Sequence, residues 1–164
     1  MTQPVLAINK SSDRANLTRR PADPCTMVIF GASGDLTRRL LMPALFNLYC
    51  DGLLSERFAI VGVAMDDLTT EVFQGRMSEA IRKFGTRPTF DEAAWNKFVA
   101  RLSYVSGKFD DGATFDRLKA ALEVAEPKYN TEGNLLFYMA TPPTVLGLVS
   151  GQLTKAGFKT RPKG

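Results

Sequence analysis

Residues 27–37 constrain the fold more than any other stretch of this chain, because they join an apolar run to a glycine turn and a helical pattern. The run Thr26–Phe30 is rich in β-branched residues, which predicts a strand buried on both faces. Leucines recur at helical spacing from about Leu36 to Tyr49. Gly31 and Gly34 lie between the two, where a tight turn lets the backbone approach a pyrophosphate. The stretch therefore predicts a dinucleotide-binding strand, turn and helix.

The rest of the chain repeats this alternation of apolar runs and amphipathic stretches. Strands that alternate with helices build parallel βαβ units. We therefore expect an α/β fold with a doubly wound, mostly parallel sheet of Rossmann-like type over residues 25–164, preceded by a disordered tail over residues 1–24. Pro43 should kink the first helix or mark a restart, and the last strand should be buried. Further strands are predicted at Phe58–Ala64, Leu102–Val105 and Asn134–Ala140, and further helices at Thr69–Phe84, Phe90–Ala100, Asp111–Ala125 and Pro143–Ala156.

The composition argues against several function classes. The formal net charge is +4, but the basic residues are scattered, so we expect no nucleic-acid partner. There is no run of about 18 apolar residues, so we expect no membrane partner. Cys25 and Cys50 form neither a disulfide framework nor a metal-binding spacing, so we expect a cytoplasmic protein without a metal site.

The chain has no histidine. Histidine is the side chain that most often removes the hydroxyl proton when an alcohol is oxidised. Only Asp, Glu, Lys or Tyr could serve as the base here, and we assign no catalytic residue from the sequence.

The candidate phosphate-binding residues belong to the glycine turn and to the start of the helix that follows. Free N–H groups and the positive end of the helix dipole would point at a phosphate there. We expect Gly34 to need a positive φ, so that valine at this position would block the pyrophosphate. Asp35 and Thr37 are alternatively simple helix caps, and Arg38 either reaches a phosphate or is solvated. The predicted contacts are Gly31, Ala32, Ser33, Gly34, Asp35, Leu36, Thr37 and Arg38.

Two further segments follow predicted strands, at the sheet edge where open α/β folds bind ligands. After the second strand, where the adenosine ribose is read, a carboxylate favours a 2′-hydroxyl and an arginine favours a 2′-phosphate. Asp66 and Asp67 stand there with no arginine nearby, which favours NAD over NADP, although both aspartates could instead cap the next helix. After the last strand, a double proline gives a rigid turn that either lies against a cofactor or is only a stiff connection. The predicted contacts are Met65, Asp66, Ala140, Thr141 and Pro142.

With these residues in place, the chain resembles the N-terminal NAD(P)-binding domain of the glucose-6-phosphate dehydrogenase family. The matches keep the family's order and run from about Thr26 to Phe158. The block Gly-Ala-Ser-Gly-Asp-Leu followed by Pro-Ala-Leu-Phe-Asn-Leu is specific to that family at this spacing. The matching segments are residues 28–39, 43–48, 58–62, 104–110 and 136–145.

The resemblance implies NADP or NAD as the cofactor, and oxidation of glucose 6-phosphate to 6-phosphogluconolactone in the oxidative pentose phosphate pathway. It also implies that a catalytic histidine and a large substrate domain would lie beyond Gly164. We therefore expect a fragment that is inactive alone and that meets glucose 6-phosphate only in a full-length context. The sequence departs from the family at Leu40, Met65 and Leu146, where lysine, arginine and tyrosine are usual. The alternative is a non-catalytic, stand-alone dinucleotide-binding or interaction module.

Overall fold

The computed structural model describes residues 20–159, which form a four-stranded sheet with helices on both faces. All strand pairs are parallel, and the strand order is β3-β2-β1-β4. This is the order of the first four strands of a Rossmann sheet, and the expected α/β class is confirmed. The strands are β1 (Cys25–Phe30), β2 (Phe58–Ala64), β3 (Leu102–Ser106) and β4 (Leu135–Met139).

Three of the helices begin close to where the sequence predicts, because side-chain caps fix their starts. Thr69, Asp91 and Asp111 each accept a hydrogen bond from a backbone N–H in the first turn, at 3.2, 3.0 and 3.0 Å. The helices are α1 (a π-helical turn, Thr37–Leu41, continued by Met42–Cys50), α2 (Thr70–Phe84), α3 (Glu92–Val99), α4 (Gly112–Tyr129) and α5 (Leu146–Lys155, after a 3₁₀ turn, Pro143–Val145).

Two hydrophobic clusters sandwich the sheet, because successive strand residues point to opposite faces. On one face, Met27 and Ile29 of β1 pack with α1, α2 and α3, and Trp95 and Phe98 lie in this cluster. On the other face, Val28 and Phe30 pack with α4 and α5, and Phe115 and Leu118 lie there. The doubly wound arrangement is therefore confirmed.

The first helix restarts at Pro43, which is one of the two expected outcomes, because its α-helical part begins at Met42 after a π-helical turn. Pro43 has no N–H to donate to the carbonyl of Arg39, and its ring would crowd that carbonyl. The preceding turn widens into a π-helix, in which the Met42 N–H donates to the carbonyl of Thr37. The proline is thus accommodated by the turn before it.

Two expectations, on the end of α4 and on the burial of β4, were wrong. Helix α4 runs to Tyr129 rather than Ala125 and passes through Pro127 in its last turn before Asn130 ends it in the left-handed conformation. Strand β4 is not buried on both faces, because it lies at the edge of the described sheet and pairs only with β1 there. Leu136 is consequently 51% exposed.

The predicted tail over residues 1–24 lies largely outside the described residues. Of that segment the structure describes residues 20–24, where the Ala22 N–H donates to the carbonyl of Leu53 at 2.8 Å. None of the helices within residues 20–159 is long and apolar enough to cross a membrane.

Candidate dinucleotide-binding site

The glycine turn between β1 and α1 is held by its own backbone and by β2. The Gly31 N–H donates to the carbonyl of Val63 at 2.8 Å, and the Gly34 N–H donates to the carbonyl of Gly31 at 3.1 Å. The Thr37 hydroxyl donates to the same Gly31 carbonyl at 3.3 Å. These bonds fix the turn at the carboxyl end of β1, where open α/β sheets bind ligands.

The segment after β4 lies directly against this turn. The Ala140 N–H donates to the carbonyl of Phe30 at 2.9 Å. A Cβ on Gly31 would stand 2.5 Å from the Ala140 carbonyl oxygen and 2.9 Å from Thr141 Cγ2. The two segments predicted to meet at the cofactor are therefore neighbours, at the point where the strand order reverses between β1 and β4.

The positive φ of the turn is at Gly31 (83°) and not at Gly34, where we had expected it. A Cβ on Gly34 would stand 3.2 Å from the Gly31 carbonyl oxygen. Gly34 is thus restricted by a close backbone contact. Position 31 requires glycine for two reasons, its positive φ and the close approach of Ala140.

The start of α1 carries an ion pair and no side-chain cap. Asp35 accepts a hydrogen bond from the Arg38 guanidinium and lies 3.8 Å from that of Arg39. These two arginines hold the pKa of the Asp35 carboxyl below its usual range. The predicted capping roles of Asp35 and Thr37 were wrong, because the first turn shows no side-chain cap and the Thr37 hydroxyl binds Gly31.

The predicted contact residues of the turn divide into buried and exposed side chains. Ala32 and Thr37 are fully buried, and Ala32 packs against Gly62 of β2. These two residues face the core, so only their backbone is on the ligand side. Ser33 is half-buried, while Gly34, Asp35 and Leu36 are exposed. The accessible groups are therefore the backbone of the turn, the Ser33 hydroxyl and the Asp35–Arg38 pair.

The loop after β2 is held by side chains from β3. The carbonyl of Asp66 accepts hydrogen bonds from the Tyr104 hydroxyl at 2.7 Å and from the Ser106 hydroxyl at 2.9 Å. Burial, followed by the nearby Asp66 carboxylate, raises the pKa of Tyr104 to about 12, and hydrogen bonding with Ser33 partly offsets this. Tyr104 thus connects the glycine turn, through Ser33, with the loop after β2, through Asp66.

The structure also places an arginine at this loop, which sequence reasoning had missed. Arg76 Nη1 lies 3.7 Å from Asp66 Oδ2. The expectation of no nearby arginine was wrong because Arg76 comes from the second turn of α2. Long side chains on a helix point back toward its N-terminus, and the N-terminus of α2 adjoins the end of β2. That direction is the signal that could have found it.

Apolar side chains stand at the three positions where the sequence departs from the family pattern. Leu40, Met65 and Leu146 are 64%, 65% and 54% exposed.

The buried Thr141 hydroxyl near Gly31 has no hydrogen-bond partner within residues 20–159. Within the same residues, no group of three or more His, Cys, Asp or Glu side chains is placed to hold a metal ion.

A glycine turn at a helix start, beside the reversal point of a doubly wound parallel sheet, defines a Rossmann-type dinucleotide-binding domain. Residues 28–164 match the family described as "Glucose-6-phosphate dehydrogenase, NAD binding domain". The chain belongs to this family. Membership supports NADP or NAD as the cofactor of the domain.

Curated relatives and solved structures agree with this assignment. The chain is 43% identical over 120 residues to glucose-6-phosphate 1-dehydrogenase of Chlamydia muridarum, a match that covers 73% of this chain and 24% of the relative. It is 39% identical over 145 residues to glucose-6-phosphate 1-dehydrogenase 2 of Mycobacterium tuberculosis, covering 88% of this chain and 28% of the relative. The chain therefore spans about a quarter of the length of these curated relatives.

Two solved structures share the fold at similar identity. A glucose-6-phosphate dehydrogenase in complex with its substrate glucose 6-phosphate superposes with a TM-score of 0.74 at 31% identity, covering 85% of this chain and 29% of that one. The Mycobacterium avium glucose-6-phosphate 1-dehydrogenase gives a TM-score of 0.71 at 33% identity, covering 86% and 28%.

Proposed function

We propose that this chain is the cofactor-binding part of a glucose-6-phosphate dehydrogenase and that it binds NAD or NADP at the junction of β1, β2 and β4. The observation that carries the proposal is the contact of Gly31 with Ala140 and Thr141. This contact leaves backbone, rather than side chain, at the point where a pyrophosphate would approach the start of α1. The whole reaction, oxidation of glucose 6-phosphate to 6-phosphogluconolactone, is proposed only for a longer protein that contains this domain.

A bound nicotinamide cofactor supplies the hydride acceptor, and this chain supplies binding and orientation. The turn backbone from Gly31 to Gly34 and the start of α1 would hold the pyrophosphate. Asp66 would read the adenosine ribose, and the rigid segment Ala140–Pro142 would limit how the cofactor lies across β4. Since no side chain of this chain is assigned as a base, removal of the substrate proton is not part of its role.

Calorimetric titration of the chain with NAD and with NADP tests the proposal. We expect wild-type chain to bind at least one of them, and Gly34→Val to weaken that binding by tenfold or more, because the added side chain crowds Gly31 and the approach to the turn. Gly151→Val is the control, since Gly151 is an exposed residue of α5 and nothing lies within 4 Å of its Cβ position. Equal affinity in wild type and Gly34→Val would remove the turn from the site.

We also propose the cytoplasm as the location, with no nucleic-acid or membrane partner. Cys25 and Cys50 are both free, and burial is the main cause that raises the pKa of each thiol. Such thiols are poorly nucleophilic and fit a reducing compartment. Fractionation of cells that express the chain from its own gene tests this, and recovery in a membrane or nucleic-acid fraction would contradict it.

A further inference from the structure

The carboxylate of Asp66 and the guanidinium of Arg76 face each other at the end of β2. Their nearest charged atoms are 3.7 Å apart, and the two side chains are 54% and 48% exposed. An exposed pair at this distance is weak, so either group can exchange its partner for a ligand. Both therefore remain available to a molecule that enters the site.

The two groups are presented from rigid supports. The backbone of Asp66 is fixed through its carbonyl, which accepts from the Tyr104 and Ser106 hydroxyls and, at 3.0 Å, from the Leu68 N–H. Arg76 rises from α2, whose first turn is capped by Thr69. A ligand here meets a carboxylate and a guanidinium whose backbone positions are held by β3 and by α2, while the two side chains remain free to adjust.

Two other arginines around the site, Arg38 and Arg117, have closer contacts of their own. Arg38 donates to Asp35, and Arg117 donates through Nε and Nη2 to the Ser106 carbonyl at 3.2 and 2.9 Å. Arg76 has a longer, weaker pairing than these two, and it lies beside the residue that would read the ribose.

We propose that Asp66 and Arg76 together determine whether this site takes NAD or NADP. Arg76 can bind a 2′-phosphate, but its ion pair with Asp66 competes with that binding. This inference rests on the proposed cofactor-binding function. A carboxylate accepts the 2′-hydroxyl of NAD, whereas a guanidinium binds a phosphate with two parallel hydrogen bonds. With Asp66 ionised, a 2′-phosphate must displace it from Arg76 and remain close to a like charge. NAD is therefore preferred by the wild-type chain, and removing the Asp66 charge makes Arg76 available to NADP.

Paired titrations with NAD and NADP test this, because the two cofactors differ only in the 2′-phosphate. We expect Asp66→Asn to shift the ratio of NADP to NAD affinity toward NADP by about tenfold or more, the scale of one charge-assisted contact. Adding Arg76→Met to Asp66→Asn should cancel that shift. The matched control is Arg82→Met on the same helix, since Arg82 pairs with Glu92 at 2.8 Å and lies outside the site.

Circular dichroism confirms that each variant is folded before it is titrated. Failure of folded wild-type chain to bind either cofactor overturns the proposed function itself. If the wild-type chain binds, an affinity ratio that Asp66→Asn leaves unchanged overturns the role of the pair. The same holds for a shift that persists after Arg76→Met is added, because another group must then bind the phosphate.

Discussion

Gly31 carries two separate constraints, which a matched pair of variants can separate. Its φ is 83°, and an added Cβ would stand 2.5 Å from the Ala140 carbonyl oxygen. Gly52 has a similar φ of 69°, but nothing lies within 4 Å of its Cβ position. We expect Gly31→Ala to lower the free energy of unfolding by about 2–5 kcal/mol, from backbone strain plus overpacking, and Gly52→Ala to lower it by about 1–2 kcal/mol, from strain alone.

Urea denaturation of both variants measures the difference. A Gly31→Ala variant no less stable than Gly52→Ala would mean that the segment after β4 yields easily. In that case the close contact between Gly31 and Ala140 would not be a rigid feature of the site.

Tyr104 should give the domain a distinct alkaline transition. Its pKa is raised from 10.0 to about 12, mainly by burial. Below pH 10 the hydroxyl is protonated in both the folded and the unfolded chain, so the stability linked to its raised pKa is fully present. Between pH 10 and pH 12 the unfolded chain releases the proton first, and that stability is lost as the pH rises through the folded value. We expect a loss on the order of 1–3 kcal/mol across this window.

The comparison that isolates this effect is Tyr104→Phe, which should be less stable near neutral pH because the Asp66 carbonyl loses a donor. Its free energy of unfolding should fall less steeply between pH 10 and pH 12 than that of the wild type. Parallel profiles in the two proteins would show that Tyr104 titrates normally in the folded chain.

At the scale of elements, β2 lets the glycine turn pack closely against it, because Gly62 has no side chain. A Cβ on Gly62 would stand 2.7 Å from Ala32 Cβ and 3.1 Å from Phe73 Cζ. We expect Gly62→Ala to push the turn away from β2, to destabilise the domain by about 1–3 kcal/mol, and to weaken cofactor binding. Gly75→Ala, at an exposed position of α2, should instead stabilise the domain by about 0.5–1 kcal/mol, since alanine is the better helix former. Thermal unfolding and cofactor titration of the two variants check this, and unchanged binding in folded Gly62→Ala would contradict it.

The elements that could be predicted from the sequence are those determined locally. The strand before Gly31 follows from a short apolar run, and the start of α2 follows from one threonine cap at Thr69. The meeting of the glycine turn with Ala140 was also predictable, because parallel strands end at one edge of the sheet. What these features share is that neighbouring residues or the strand order are sufficient to fix them.

The features that could not be predicted depend on residues far apart in the sequence. The apolar run of β4 gives no sign that the strand lies at the edge of the described sheet, because burial on the second side needs another element. The link between Tyr104 and Asp66 joins residues of different βα units. Such contacts are decided by tertiary packing and carry no local periodicity.

At the scale of the whole molecule, the described sheet has β4 at one edge, next to the glycine turn. Strand β4 contributes one wall of the site through Ala140 and pairs only with β1 within residues 20–159. On the other side of the turn, Leu40 is 64% exposed at a position where the family usually has a lysine. An apolar side chain at this position cannot supply the positive charge that a lysine would offer to a sugar phosphate.

We therefore expect the purified chain of 164 residues to bind cofactor but not to oxidise glucose 6-phosphate at a measurable rate. The chain contains no histidine and corresponds to about a quarter of its curated relatives. If this chain supplied a base, the candidates would be Asp35, Tyr104 and Lys108, and the first two are unsuited to the task. The Asp35 carboxylate is paired with Arg38, which lowers its pKa, and Tyr104 has a pKa of about 12. Loss of a general base alone removes about 10²–10⁴-fold of the rate, and loss of substrate positioning removes more.

The measurement is the absorbance of reduced cofactor, with folded chain, glucose 6-phosphate and either NAD or NADP, next to a full-length relative as positive control. Cofactor binding without turnover fits a cofactor-binding part of a larger dehydrogenase and also fits a stand-alone binding module. Adding the missing part of a relative as a separate chain distinguishes the two, since restored turnover identifies the dehydrogenase part. Saturable turnover by the chain alone would contradict the expectation. Lys108, which follows β3, would then be the first residue to test as the base, because Asp35 and Tyr104 are poorly suited to that role.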